Sequence, residues 1–302
     1  MAFIFIVWKE PEMRNDMNVI LLNLSVADLL FLLVGVGEKF WGVLTSPLYR
    51  DKLFYRKPGE CLTITFLLDL VSFTSLLLVS LLSVERCFVI CQPMKHLRTK
   101  SLKKTSIHFG LAWFSACVVA AFTFSFYEFA TYCVKWPNKA PYTNYPIKAA
   151  GCKPRYGTSG VTNAFILEIG PFFVAMVVNV VCFVKIMSKL YQRLPTSSEE
   201  GYENGTVSTQ HRYSAHAATR MLLINGIAFF ILATPFHVEF ALEFFPLFSF
   251  DLPQYVKATC TMLLYANSAV NPYIYGITNK CYRQAYRNIL CSKSSTSNVT
   301  SV

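Results

Sequence analysis

The chain has 302 residues, 54% hydrophobic and only 15% charged, with a formal net charge of +11. Soluble domains carry about 25% charged residues, so the composition excludes an ordinary soluble domain and points to an all-α membrane protein. No phosphate-binding glycine loop, zinc-ligand spacing or nucleophile–base pair is present, and neither an enzyme nor a nucleic-acid binder is expected.

Met1–Trp8 (MAFIFIVW) opens the chain. It is too short to cross a bilayer, and it lacks the basic leader and small-residue cleavage site of a secretory signal. Six apolar stretches follow, at 17–43, 62–91, 106–130, 160–188, 218–247 and 255–277. Each can supply the roughly 20 residues needed to span about 30 Å of hydrocarbon as a helix, which predicts six full spans. Lys95, His96, Arg98, Lys100, Lys103 and Lys104 crowd one link; Lys185, Lys189, Arg193, Arg212 and Arg220 flank another; Lys280, Arg283, Arg287 and Lys293 follow the last span. Basic residues close to span ends mark cytoplasmic loops. The links 44–61, 131–159 and 248–254 are then extracellular, although 131–159 is itself basic. The chain is thus expected to be a multi-pass plasma-membrane protein with a cytoplasmic C-terminus.

The stretch 195–216 is rich in Ser, Gly, Glu and Thr and is expected to be a flexible cytoplasmic loop. Residues 279–291 place Tyr282, Tyr286, Ile289 and Leu290 on one helical face, with Lys280, Arg283 and Arg287 on the other. Such a short amphipathic cytoplasmic helix would lie on anionic membrane lipid, with Cys291 placed for palmitoylation or left unmodified. Residues 292–302 form a polar tail. Its last residues, from Thr300 to Val302, fit a PDZ-protein ligand, and its Ser/Thr cluster could accept phosphates and recruit arrestin. Most of the ten cysteines lie within spans. Cys61, Cys133 and Cys152 lie on the extracellular side, where one disulfide would leave one thiol over. There is no internal repeat, and no pair of interrupted spans of the transporter kind.

The last span closes on Asn271-Pro272-Tyr273-Ile274-Tyr275, polar groups that are costly in hydrocarbon unless partnered. With this segment stand Asn23-Leu24-Ser25-Val26-Ala27-Asp28-Leu29-Leu30, then Cys61, with Glu85-Arg86-Cys87 closing the same span 25 residues on. Pro93, Trp113, Pro171, Pro235, Asn267-Ser268 and Tyr282 follow in order. Taken together the chain resembles a rhodopsin-like (class A) G protein-coupled receptor, most like peptide receptors of the FMRFamide or thyrotropin-releasing-hormone type. The resemblance implies a seven-transmembrane helical bundle over 1–291. The family's Gly-Asn pair would fall just before Met1, so the first helix is expected to be incomplete.

The resemblance further implies a Cys61–Cys152 disulfide and a packing relay of Leu76, Pro171 and Phe229. It also implies a sodium ion held by Asp28, Ser75, Asn267, Ser268 and Asn271. The alternative for Asp28 is a protonated carboxyl in a water-filled network. Glu85, Arg86, Pro235, Asn271, Pro272 and Tyr275 would serve activation and coupling to a heterotrimeric G protein. Three positions depart from the family pattern: Ala233 replaces the usual tryptophan of the sixth family helix, Asn179 replaces a tyrosine of the fifth, and Ala215 stands where some members carry an acid.

For the ligand, opsins need a lysine where this chain has Tyr265, and amine receptors an aspartate where it has Leu68, with Asp69 beside it. The outer halves of the spans carry Glu38, Asp69, Glu168, Glu239 and Glu243, with Phe236, His237, Phe240 and Tyr265 among them. If they share a cavity they favour a cationic or amidated neuropeptide as extracellular ligand. The alternative pairs some of these acids with Lys257 or with loop lysines. A truncated non-signalling variant, an amine receptor and a transporter are the competing readings.

Overall fold

The computed structural model describes residues 16–46, 58–94, 102–140, 142, 145–154, 158–192, 206–244, 252–278, 283, 284 and 287. Among them are six long helices: α1 (Asp16–Thr45), α2 (Pro58–Cys91), α3 (Leu102–Ser125), α4 (Thr158–Gln192), α5 (Thr206–Phe244) and α6 (Gln254–Thr278). An antiparallel hairpin, β1 (Tyr127–Cys133) with β2 (Lys148–Pro154), joins α3 to α4. Helices dominate because a backbone in hydrocarbon must satisfy its own hydrogen bonds. Most polar side chains within them do the same: the hydroxyls of Ser25, Thr74, Thr123 and Thr261 each donate to the carbonyl four residues back.

Met17–Thr45, Gly59–Cys91, Thr105–Ser125, Ile166–Gln192 and Thr219–Leu242 are long and apolar enough to cross a membrane. The sixth expected span, 255–277, lies within α6, whose 25 residues reach about 37 Å. Its hydropathy is diluted by Asn267, Ser268 and Asn271, which are buried in the bundle rather than turned outward. Large apolar side chains such as Leu33, Phe40, Val174, Val184 and Ile231 cover the outside, as expected of helices whose solvent is lipid.

α2 is the central helix, packing against α1, α3, α4 and α5, while α6 closes the bundle against α1 and α5. The main core draws Leu21 and Leu24 from α1, Leu76, Leu78 and Leu82 from α2, Phe172 from α4, Met221 and Phe229 from α5, and Tyr275 from α6. Phe73 meets Ala116 and Ala120 in a smaller cluster between α2 and α3. Small residues let backbones approach. A Cβ at Gly226 would lie 2.5 Å from Phe183 Cζ, so the Phe183 ring of α4 fills the notch that this glycine leaves in α5.

Two boundaries differ from the sequence expectation. The third stretch does not stay helical to residue 130: α3 stops at Ser125, the Phe126 amide bonds Thr123 O, and Tyr127 starts the hairpin. Aromatic or β-branched residues at alternate positions, Tyr127, Phe129 and Thr131, suit a strand. Residues 206–216, expected within a flexible loop, form the first turns of α5; 195–205 lie outside the described residues. So do Met1–Trp8, Tyr282, Cys291, and the tail with Thr300 and Val302. Of the expected helix 279–291, residues 283, 284 and 287 are described, and they are helical.

Gly226→Ala should lower the stability of the detergent-solubilised chain by about 1–3 kcal/mol, the usual cost of overpacking. Gly37→Ala, where a Cβ meets nothing within 4 Å, should be neutral or stabilising by up to about 1 kcal/mol. Thermal unfolding of the two variants side by side checks this contrast.

Candidate ligand cavity and polar core

At the hairpin end of the bundle the helices splay around a cavity of about 430 Å³. β2 forms part of its cover. Cys152 is bonded to Cys61 at the start of α2, with Cα atoms 6.2 Å apart, and Gly151 and Cys152 both line the cavity. The disulfide implied by the resemblance is therefore present, and it ties the hairpin over the opening. Cys133 is free and exposed.

Of the five outer acids, Glu38 (α1), Asp69 (α2), Glu168 (α4) and Glu239 (α5) line this one cavity. The side chain of Glu243 lies outside the described residues. Phe236, His237, Phe240 and Tyr265 line the same space, so the structure gathers eight of the nine candidate ligand residues. Lys39 Nζ lies 3.8 Å from Glu38 Oε2, and the Tyr127 hydroxyl donates to Glu168 Oε1 at 3.3 Å. Thus the hairpin reaches into the cavity through Tyr127, a contact that the sequence did not announce. Tyr265 lies across Gly35, where a Cβ would stand 2.7 Å from its ring, and packs against Phe31 with centroids 5.4 Å apart.

Below the large cavity lies a void of about 30 Å³, space for about one water or small ion. Phe31, Ser72, Phe73, His237 and Leu264 line both, so the small void continues the large one inward. Its other walls include Ser75, Leu76, Phe172, Phe229, Ala233, Asn267 and Ser268. Ala233 is buried here, and its methyl group occupies little of the space a tryptophan would need. Leu76 and Phe229 belong to one core cluster, whose α4 members are Phe172, next to Pro171, and Ala175. Phe172 stacks on His237 with centroids 3.9 Å apart and meets Phe230 at 5.6 Å. Pro171 gave the only sequence signal for this aromatic seam, and that signal was indirect.

Beyond the void sits Asp28 of α1, buried. Its Oδ1 accepts from Ser75 Oγ at 3.3 Å and Ser268 Oγ at 3.0 Å, and its Oδ2 accepts from Asn271 Nδ2 at 2.5 Å. Asn267 is buried too, and its Oδ1 has no hydrogen-bond partner among the described residues. All five residues grouped by the resemblance belong to this region of the bundle core. Tyr275 is fully buried one turn beyond Asn271, and Pro272 lies inside α6 between them. Pro235 is likewise inside α5.

Toward the far end, Asn179 of α4 joins α2. Its Oδ1 accepts from Ser83 Oγ at 2.5 Å, while its Nδ2 donates to Ser80 Oγ at 2.9 Å and to Ala175 O at 2.8 Å. Ser80 and Ser83 went unnoticed in the sequence because serines are common in helices. Glu85 and Arg86 follow within the last two turns of α2, both partly buried. Asn179 is therefore a structural joint between helices and not simply a lost tyrosine. Asn179→Ala should destabilise the chain by about 1–3 kcal/mol, because it removes both side-chain bonds that tie α4 to α2, although Ser80 and Ser83 keep the Leu76 and Val79 carbonyls as partners. Asn23→Ala, which removes a bond to Val19 O within one helix, should cost less than about 1 kcal/mol. Thermal unfolding of each variant tests that ordering.

Residues 1–275 match the family model described as 7 transmembrane receptor (rhodopsin family). The chain is 25% identical to the neuromedin U receptor homolog nmur-2 of Caenorhabditis elegans, over 94% of this chain and 74% of that protein. It is 24% identical to somatostatin receptor type 5 of Rattus norvegicus (95% and 72% covered) and 26% identical to Opsin-VA of Rutilus rutilus (96% and 69% covered). The disulfide-tied hairpin, the buried Asp28 cluster and this match over residues 1–275 have one reading: the chain belongs to the rhodopsin family of seven-transmembrane receptors.

Proposed function

We propose that the chain is a G protein-coupled receptor for a cationic or amidated extracellular peptide. The observation that carries this reading is the convergence of Glu38, Asp69, Glu168 and Glu239 on one cavity of about 430 Å³. Carboxylates in a recessed, low-dielectric site attract cations far more strongly than in open water. Phe236, Phe240 and Tyr265 supply flat apolar surface for the peptide's other side chains and for cation–π contact. The similarity to receptors named for neuromedin U and somatostatin supports a peptide.

In this reading the hairpin end faces outside, and the basic links lie in the cytoplasm. Peptide binding shifts the helix equilibrium through Phe172, His237 and Phe229 toward Asp28, Tyr275 and the Arg86 end, where a heterotrimeric G protein engages. Phosphorylated tail serines would draw arrestin, the C-terminal Thr300-Ser301-Val302 a PDZ protein, and Cys291 would carry palmitate. Asp69 lines the cavity beside Leu68, and that placement favours an amine as the second reading. The opsin reading lacks its lysine, since Tyr265 occupies the position.

The polar core also fits a sodium ion. Ser75, Ser268 and Asn267, whose Oδ1 has no hydrogen-bond partner among the described residues, line a void of about 30 Å³, and the two hydroxyls bond the Asp28 carboxylate beyond it, so hard oxygen donors gather here. Asp28, Ser75, Asn267 and Ser268 would hold the cation, with Asn271 orienting the carboxylate. The ion would supply a positive charge that offsets the buried Asp28 and steadies α1, α2 and α6 together.

Cells expressing the chain should raise a calcium or cAMP response to at least one Arg- or Lys-bearing amidated peptide in a panel. A response confined to a lipid or an uncharged ligand contradicts the peptide reading, and one confined to monoamines selects the second. Sodium chloride should raise the thermal midpoint of the purified chain above that in N-methylglucamine chloride at equal ionic strength, and Asp28→Asn should abolish the difference. Equal midpoints for the unaltered chain in both salts would remove the sodium proposal.

A further inference from the structure

The acid-lined cavity and the small void meet at a throat, where the walls change character. Phe31, Ser72, Phe73, His237 and Leu264 line both spaces. Four acids line the wide cavity, whereas among the described residues no charged one lines the small void. A cationic group therefore finds its partners above the throat, and a group that descends further meets uncharged walls. A carboxylate there would shed its water and meet no positive charge, which is costly.

The throat nevertheless carries hydrogen-bonding capacity. His237 Nδ1 is buried and has no hydrogen-bond partner among the described residues. Packing holds its ring instead: it stacks on Phe172 with centroids 3.9 Å apart and meets Phe236 edge-on at 5.6 Å. Thr65, Thr74, Ser80 and Ser83 of α2 each donate to the carbonyl four residues back. Ser72 of the same helix makes no such bond among the described residues. Ala233, one turn from His237 on α5, lines the small void and keeps the throat open with a methyl group.

We propose that this throat is a subsite for a primary carboxamide, the C-terminal amide of the peptide, which enters ahead of the cationic side chain. With the imidazole proton on Nε2, one amide N–H donates to His237 Nδ1, and the amide oxygen accepts from Ser72 Oγ. The planar group carries no net charge, so it passes between Phe31, Phe73 and Leu264 without the desolvation cost of an ion. The void beneath is left to the polar core. The subsite rests on the peptide reading above and narrows it, because amidation becomes a requirement and not one of two alternatives.

The test titrates the full chain in nanodiscs with four dipeptide probes, read by saturation-transfer NMR: Arg-Phe amide, Arg-Phe methyl ester and their citrulline-Phe counterparts. The ester keeps the carbonyl and loses both N–H donors. Each amide should bind about tenfold or more tightly than its matching ester, with Arg or with citrulline. His237→Phe keeps a ring against Phe172, and Ala233→Trp fills the throat; each should bring the amide down to the affinity of the ester. Thermal midpoints show whether the two variants are folded, and His237→Phe decides if Ala233→Trp is not. Equal affinity of amide and ester, an amide advantage that survives His237→Phe, or no binding of either amide at millimolar concentration would overturn the subsite. Equal affinity of the Arg and citrulline probes with the amide advantage intact would strike the cationic reading alone and leave the throat standing.

Discussion

The buried carboxylate of Asp28 sets the terms for the rest of the bundle. Left without partners in a low-dielectric interior, such a group would cost several kcal/mol. Its donors come from two other helices, Ser75 of α2 and Ser268 and Asn271 of α6. Those bonds fix the rotation and height of α1 against α2 and α6 more sharply than apolar packing does, because lipid competes with apolar contacts and not with hydrogen bonds. α6 accordingly buries Asn267, Ser268 and Asn271 within the bundle. Its amides and hydroxyl face inward, and its outer surface carries Met262, Tyr273 and Ile277.

From that fixed centre the structure opens in two directions. Toward the hairpin, the small void beside Ala233 leads into the acid-lined cavity, with Phe172 and His237 stacked along the way. The Cys61–Cys152 bond and Tyr127 hold the hairpin over this space. Toward the other end, Asn179 clamps α4 to α2, and Phe183 fills the Gly226 notch between α4 and α5. The two most visible departures from the family pattern thus have different physical consequences. Ala233 leaves space where a large ring would sit, and Asn179 exchanges a ring hydroxyl for a buried amide that bonds both Ser80 and Ser83. A proposed signal from the cavity has to pass through a wider gap above Asp28 and work against a tighter joint below it.

Much of this was legible in the sequence because hydrocarbon leaves so few options. Long apolar runs must be helices, and costly groups such as Asp28, Asn271 and Pro272 must converge. The acids Glu38, Asp69, Glu168 and Glu239 could be suspected as one set from their shared depth near the span ends. Less was legible where the signal depends on contacts between distant residues. The sequence pattern predicts helix for Tyr127–Ala130, which continue an apolar run, and only their pairing with Gly151–Pro154 makes them a strand. Phe172, Tyr127, Ser80 and Ser83 carry no motif, and they matter through the neighbours that the fold brings to them. Residues 206–216 looked like a loop by composition, yet they are helical as the continuation of α5.

The central claim is that cavity carboxylates recognise a positive charge on a peptide. The most direct measurement is a double-substitution cycle on an activating peptide, comparing its Arg form with a citrulline form on the unaltered chain and on Glu239→Gln. The account predicts that Glu239→Gln weakens the Arg peptide about tenfold or more, equivalent to about 1.4 kcal/mol, and leaves the citrulline peptide nearly unchanged. Equal losses for both peptides would contradict it, because the carboxylate would then act through shape or packing and not through charge.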